Sequence, residues 1–373
     1  MYLVTPKQKK EVYNNIDAMF ETGIIPDSFE PHTTDNIKRT YTTTVPYGIY
    51  YPIFDTPFIK LIQKANALFP NPEEHYYEFK IPKRTHGFRQ ITAPNEDLKN
   101  IQLDIARSLR YDLRVLEHDS AWAYIPGRDV VHAMQEHINN KSRWYLKIDL
   151  KDFFGSCNRQ FIKQQLTNLY PFNRIRIDVI DKMLNLALVN DKLPQGTPLS
   201  PILTNLIMVE YDYKINKLLN TLANENKIYK QRYIYTRYAD DIIISGKISF
   251  DYKKIIKAIE LLLEETPLKI NKEKIRYGSN AGRNWNLGIM CNKDNKLTIG
   301  HKRKHQLKTL IYNYIKDKES YTLEDLYYLQ GQLSWLYNVE SSYCKGLLQY
   351  FENKYNINVW QDIKQSIKDY INN

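Results

Sequence analysis

Residues 237–244 read Arg-Tyr-Ala-Asp-Asp-Ile-Ile-Ile, a pair of adjacent carboxylates joining two β-rich runs within Tyr233–Ser245. A second apolar run, Trp144–Leu150 (WYLKIDL), carries Asp149 near its end. Bare carboxylates are costly among apolar strands, because unpaired charge loses its hydration there. A divalent ion removes that cost, and Mg²⁺ is commonly held by one or two carboxylates together with substrate phosphates. Taken alone, an Asp-Asp pair in a hairpin reads as a solvated turn, so the surrounding sequence has to decide.

That sequence alternates helical and extended patterns. Helical spacing covers Phe58–Leu68, Asp97–Leu109, Ile175–Leu188 and Tyr252–Leu263, with a short helix at Val12–Phe20 and loop over Gly23–Thr43. Tyr76–Pro82 and Gln90–Ala93 read as strands around the basic turn Lys83-Arg84-Thr85-His86-Gly87-Phe88-Arg89. Ser200-Pro201 reads as a capping hydroxyl and first-turn proline, opening a helix to about Leu219. Trp285–Ile299 suggests two strands around Asn292–Asn295, and the pattern from Lys302 onward is mostly helical. Strands interleaved with helices, then a helical tail, indicate an α+β core followed by a helical domain.

Composition narrows the function. The 373 residues carry 53 Lys and Arg against 42 Asp and Glu, a net charge of +11 that favours an anionic partner, nucleic acid first. No apolar run approaches the roughly 20 residues that cross a bilayer, and no P-loop pattern appears. Cys157, Cys291 and Cys344 are far apart and odd in number, which fits a reduced cytoplasm and gives no zinc pattern. The 30 tyrosines suit base stacking, and equally an AT-rich coding sequence. His301 and His305 lack a neighbouring carboxylate or cysteine and carry no metal expectation, and His132 and His137 read as structural or exposed.

The Tyr-Ala-Asp-Asp box resembles the metal-binding hairpin of the reverse transcriptases. Other segments follow that family's order. Ile148–Phe154 is similar to its first catalytic strand, and Pro194-Gln195-Gly196 through Ser200-Pro201 to the segment against nucleotide and template. Lys83 and Arg89 fall in its finger hairpin, Tyr124–Arg128 at its Gly-Arg turn, Leu268–Lys274 in its lysine-bearing segment, and Asn286–Ile289 at its primer grip.

The resemblance implies an α+β right-hand polymerase with a ferredoxin-like palm and a helical thumb. Residues 1–40 would be an N-terminal extension, 41–105 and 158–194 the fingers, 106–157 and 195–292 the palm, and 293–373 the thumb. It implies an RNA-directed DNA polymerase with two Mg²⁺ ions, for which Mn²⁺ can substitute. Asp149, Asp240 and Asp241 are the catalytic and metal residues, with the Leu150 carbonyl as a further ligand. Lys83 and Arg89 would bind phosphates, Arg by its planar fork. Gln195 and Gly196 would approach the nucleotide, and Lys274 would stabilise or protonate the leaving pyrophosphate. Phe154 stands where a bulky aromatic excludes a ribose 2′-hydroxyl, which favours dNTPs. Lys302, Arg303, Lys304 and Lys308 would follow an RNA–DNA duplex.

The compact layout resembles bacterial retron and related defence-associated enzymes more than intron or retroviral ones. Two retron signatures depart from pattern, near His132–Glu136 and Asn286–Gly288. The implied partners are a structured noncoding RNA template and an effector or toxin protein, with no membrane. Untemplated or protein-primed DNA synthesis, and an intron maturase or RNA-binding protein, stay open as alternatives.

Overall fold

The computed structural model describes residues 56–82, 87–113, 117–169, 172–225, 231–282 and 284–372. The expected helix at 12–20, the loop at 23–43, the 1–40 extension and Lys83 lie outside them. In chain order the main elements are α1 (Thr56–Leu68), β1 (Tyr76–Pro82), β2 (Phe88–Pro94), α2 (Glu96–Leu113), α3 (Val130–Asn139) and β3 (Trp144–Asp149). Next come α4 (Phe153–Ser156), α5 (Arg159–Asn168), α6 (Ile177–Ala187), α7 (Ser200–Glu225), β4 (Ile234–Tyr238), β5 (Asp241–Gly246), α8 (Tyr252–Leu262) and β6 (Arg276–Ser279). Three short strands, β7 (Trp285–Asn286), β8 (Ile289–Cys291) and β9 (Leu297–Thr298), precede α9 (His301–Lys316), α10 (Leu323–Val339), α11 (Ser341–Tyr355) and α12 (Val359–Asn372).

The palm is a four-stranded antiparallel sheet in the order β4-β5-β3-β6. Alternation along its strands sends successive side chains to opposite faces. Leu146, Ile148, Ile242 and Ile244 join a large core with α5, α6, α7 and α8. Tyr145 and Ile243 point the other way, into a second core shared with β8, β9 and the thumb helices. The sheet is thus buried on both faces, which explains why its strands read as nearly continuous apolar runs. β1 and β2 form a separate finger hairpin, and β7, β8 and β9 a small sheet at the thumb's root. Among the described residues no helix is long and apolar enough to cross a membrane.

Several local expectations need correction. α7 continues to Glu225, because no glycine or proline stops it after Leu219. Its capping hydroxyl comes from Thr197, whose Oγ1 accepts the Ser200 N–H at 3.3 Å and lies 2.7 Å from the Ser200 hydroxyl. The region 285–299 holds three strands where two were expected. Leu287 and Gly288 take φ of 51° and 79° and close a two-residue hairpin between β7 and β8, the left-handed pair that matches the twist of its strands. His137 is wholly buried and His132 exposed, in keeping with the reading of the pair as structural or exposed.

Candidate active site

The β4–β5 hairpin turns at Ala239-Asp240, so Asp241 is already the first residue of β5. Tyr238 pairs with Asp241 across that turn, and Asp149 on β3 stands opposite Asp241. Directly opposed residues share a sheet face. The backbone fixes this register on both sides: Leu150 N donates to Asp240 O at 3.0 Å, and Asn271 N to Asp149 O at 2.8 Å. Ala239 takes φ 57°, a left-handed conformation that costs a residue with a Cβ roughly 1–2 kcal/mol.

A network missing from the sequence reading supports that turn from beneath. Arg237 is fully buried, and its Nε and Nη2 donate to Asp212 of α7 at 2.8 and 2.7 Å. The Tyr235 hydroxyl donates to the same carboxylate at 2.5 Å. Arg237 Nη1 reaches Asn205 Oδ1 at 3.2 Å and the Ala239 carbonyl at 3.4 Å. Its backbone is clamped as well, with its N–H donating to Ser120 O at 2.6 Å and its carbonyl accepting from Trp122 N at 2.8 Å.

Lysines occupy the acid face. Lys274 Nζ donates to both oxygens of Asp149, at 2.8 and 3.0 Å. Lys147 Nζ lies 2.8 Å from Asp241 Oδ1, in an ion pair whose alignment is not that of a hydrogen bond, so this buried oxygen has no aligned donor. Asp240 has neither lysine as a direct partner. Burial, then the charge of Asp241 and, less strongly, of Asp149, raise its pKa above the ordinary carboxylate value. The hydrogen bond to Asp149 raises that of Lys274.

Among the described residues no three Asp, Glu, His or Cys side chains already stand in ligand geometry. The donor chemistry nevertheless fits a hard divalent cation. Asp149 and Asp240 supply oxygens, mutual repulsion disfavours leaving both bare, and Lys274 is 59% exposed and free to swing off Asp149.

A cleft of about 910 Å³ opens over these acids. Asp149, Leu150, Phe154, Gln195, Gly196, Asp240 and Lys274 line it, with Arg89 reaching in from the finger hairpin. The structure therefore brings together most of the expected site residues, and Asp241 faces Lys147 beside the cleft. Phe153 is a core residue, whereas Phe154 is half-buried with its ring edge-on to Tyr124 at 6.5 Å. Gly196 has a more local reason than approach to a base or sugar. At φ 118° a Cβ would lie 2.7 Å from Ile91 Cγ2 and 3.2 Å from Thr92 O. The strand it abuts is tied to the same segment, since Thr92 N donates to Gln195 O at 2.9 Å. Glu78 also lines the cleft, accepting from Gln90 Nε2 at 2.9 Å.

The thumb's basic segment is not uniformly available. Lys304 is paired with Glu340 at 2.5 Å, because that carboxylate is tucked against Thr298 Oγ1 and Ile299 N, at 2.8 and 2.9 Å, and needs a counter-charge. Arg303 Nη1 donates to Gly288 O at 2.8 Å, with its guanidinium 5.2 Å from the Trp285 ring centroid. Lys308 lies over the Tyr350 ring at 4.7 Å, and Lys302 is exposed. Arg303 thus ties α9 to the β7–β8 turn, and Lys304 ties α9 to Glu340 between α10 and α11.

Comparison with known proteins places the sequence in a family. Residues 81–314 match the family described as reverse transcriptase (RNA-dependent DNA polymerase). The retron Ec83 reverse transcriptase of Escherichia coli is 30% identical over 334 residues, spanning 84% of this chain and 95% of the relative. The retron Ec73 reverse transcriptase, also of Escherichia coli, is 26% identical over 322 residues, spanning 84% and 96%. An apo telomerase of Candida tropicalis is similar in structure, with 12% identity and a TM-score of 0.47 over 86% of this chain and 67% of that one. This chain belongs to the reverse transcriptase family, among its retron-like bacterial members, and is an RNA-directed DNA polymerase.

Proposed function

We propose that the chain copies a structured noncoding RNA into DNA by two-metal nucleotidyl transfer, in the cytoplasm, as part of bacterial defence against phage. One observation carries the chemical part. Asp149, Asp240, Arg89, Gln195, Gly196, Phe154 and Lys274, from widely separated stretches of chain, line a single cleft. The template and lineage rest on the names of the retron relatives.

In the reaction a primer 3′-hydroxyl attacks the α-phosphorus of a dNTP in line, and pyrophosphate leaves. Asp149, Asp240 and the Leu150 carbonyl would hold two Mg²⁺ ions, with Asp241 shaping the site. Such ions lower the pKa of the attacking hydroxyl and neutralise charge on the leaving oxygens, and Mn²⁺ serves the same chemistry. Arg89 grips the triphosphate bidentately, together with Lys83. Gln195 and Gly196 form the wall against the nucleotide. Lys274 exchanges its bond to Asp149 for one to the leaving pyrophosphate, and donates a proton there. Phe154 closes the sugar side to a 2′-hydroxyl. Lys302 and Lys308 meet the backbone of the RNA–DNA duplex, and an effector or toxin protein couples synthesis to defence.

Primer extension tests the reading. Purified protein with Mg²⁺, dNTPs and a primed RNA should yield DNA whose sequence is that of the template. Asp240→Asn should lower the rate roughly a thousandfold, the loss of several kcal/mol of charge stabilisation. The variant should melt no lower than the wild type, since it relieves repulsion with Asp241 and Asp149. DNA of equal yield and random sequence without RNA would favour untemplated synthesis instead. Phage plating on cells carrying Asp240→Asn tests the defence role, and unchanged protection would remove it.

A further inference from the structure

Two lysines serve the acid face, and they are not alike. Lys274 sits at the mouth, on a short turn, 59% exposed, astride both oxygens of Asp149. Lys147 belongs to β3 itself, two residues before Asp149, so alternation puts both on one face of the sheet. Its side chain is 23% exposed and runs diagonally across to Asp241, whose own side chain is 25% exposed. β3 is hydrogen-bonded to β5 on one side and β6 on the other, so the base of Lys147 cannot move without breaking the palm sheet. Lys274 can leave its carboxylate by rotating its side chain, whereas Lys147 is anchored beside its own.

Building on the metal site proposed above, we infer that Lys147 is a positioning residue that holds Asp241 out of the cation's inner coordination shell. Asp149 and Asp240 then do the ligating, and Asp241 shapes the field from behind. Two observations support that division. Asp149 and Asp240 line the cleft while Asp241 does not. Asp241 Oδ1 is held by charge alone, with no aligned hydrogen bond, so it would turn to a cation if Lys147 were lost. Metal affinity rises with the number of charged ligands a site provides. A lysine that withholds one carboxylate keeps affinity low enough for ions to come and go with each nucleotide.

The test uses the full chain and Mn²⁺ alone, without nucleic acid or dNTP. Affinity is read from the electron paramagnetic resonance of free Mn²⁺, and inner-sphere water from proton relaxation. Lys147→Gln should bind Mn²⁺ roughly tenfold tighter and lose relaxivity, as Asp241 displaces bound water. Lys147→Arg should stay within about twofold of wild type in affinity, and Lys147→Gln/Asp241→Asn should regain the wild-type relaxivity. Unchanged or weaker affinity in Lys147→Gln would overturn the inference, and so would tighter binding at constant relaxivity, which is the mark of a mere change in net charge. Should Lys147→Gln not fold, Asp241→Asn decides alone: its bound Mn²⁺ should keep the wild-type relaxivity, and a rise would show Asp241 to be a ligand already. If neither Asp149→Asn nor Asp240→Asn weakens Mn²⁺ binding, the metal reading itself fails, which is a different result from a failure confined to Lys147.

Discussion

On the face of the palm sheet that meets α7, charge is closed. Arg237 and Asp212 are both fully buried, joined by two hydrogen bonds, and Tyr235 and Asn205 complete the set. On the opposite face charge is open towards the cleft, where Asp149 is covered by a lysine at the mouth and Asp241 Oδ1 lacks an aligned donor. Both arrangements belong to the same hairpin. Satisfied polar burial holds a turn that is locally unfavourable at Ala239, and the carboxylates of Asp149 and Asp240 are left facing the cleft. Buried polar groups that are fully paired rigidify their surroundings, whereas partly paired ones keep interactions that a ligand can complete.

Breaking the closed face should have the largest effect on stability. Arg237→Met leaves Asp212 buried without its counter-charge, a loss of about 3–5 kcal/mol, measurable by urea unfolding. Arg237→Met/Asp212→Leu should recover part of that, because no bare charge remains, although the Tyr235 hydroxyl loses its acceptor. If the comparison is right, the double variant folds yet extends primers poorly, since the Ala239 carbonyl has lost its donor and the Asp240 turn its support. A double variant with full activity would show that the turn holds its shape unaided.

A second, smaller effect lies further along the acid face. His137 Nδ1 is 2.6 Å from Ser245 Oγ, its Nε2 is 2.9 Å from Thr236 Oγ1, and Ser245 donates on to Ser142 at 2.8 Å. Burial pushes its pKa down from 6.5 to about 3. The unfolded chain therefore takes up a proton below pH 6.5 that the folded chain refuses until about pH 3. Stability contributed by neutral His137 is complete above the unfolded value and is lost as pH falls, at about 1.4 kcal/mol per pH unit. Between pH 7 and 5 the wild type should lose about 2 kcal/mol more than His137→Gln in urea titrations. Equal slopes would mean that the ring is protonated in place.

Much of this was legible because it is local. The strand over 76–82 and the palm strands follow from alternation and apolar runs, and the acids stand out against them. The cleft's membership was reachable from ordered motifs. What escaped depends on distant partners or on unusual backbone. Asp212 is one acid on a long helix, and nothing within its own segment says that Arg237 will reach it. Lys147 looked like any strand lysine, although its spacing from Asp149 already placed both on one face. Leu287 is no turn residue by type, so the hairpin it closes was read as continuous strand. Gly196 was recognised, but its neighbour is the finger strand, which only the tertiary fold brings there.

The smallest predicted effect concerns the cleft wall, where Phe154 is the proposed sugar gate. Phe153 is in the core, so Phe154 is the member of the pair free to face a ligand. Its ring is braced edge-on by Phe153 at 5.7 Å and by Tyr124 at 6.5 Å, and such contacts fix an aromatic's position better than area burial alone. A rigid ring excludes by shape, and shape discrimination of one small group is worth about 1–3 kcal/mol. Phe154→Ala should therefore raise incorporation of ribonucleotides relative to deoxynucleotides by roughly tenfold or more, through a lower KM for the ribonucleotide. Phe154→Tyr keeps the ring and should keep the discrimination. Because the half-buried ring packs against the large core, Phe154→Ala should also lower the urea midpoint, whereas Phe154→Tyr should leave it nearly unchanged. An unaltered preference in Phe154→Ala would move the gate elsewhere on the wall, with Tyr124 the next ring to test.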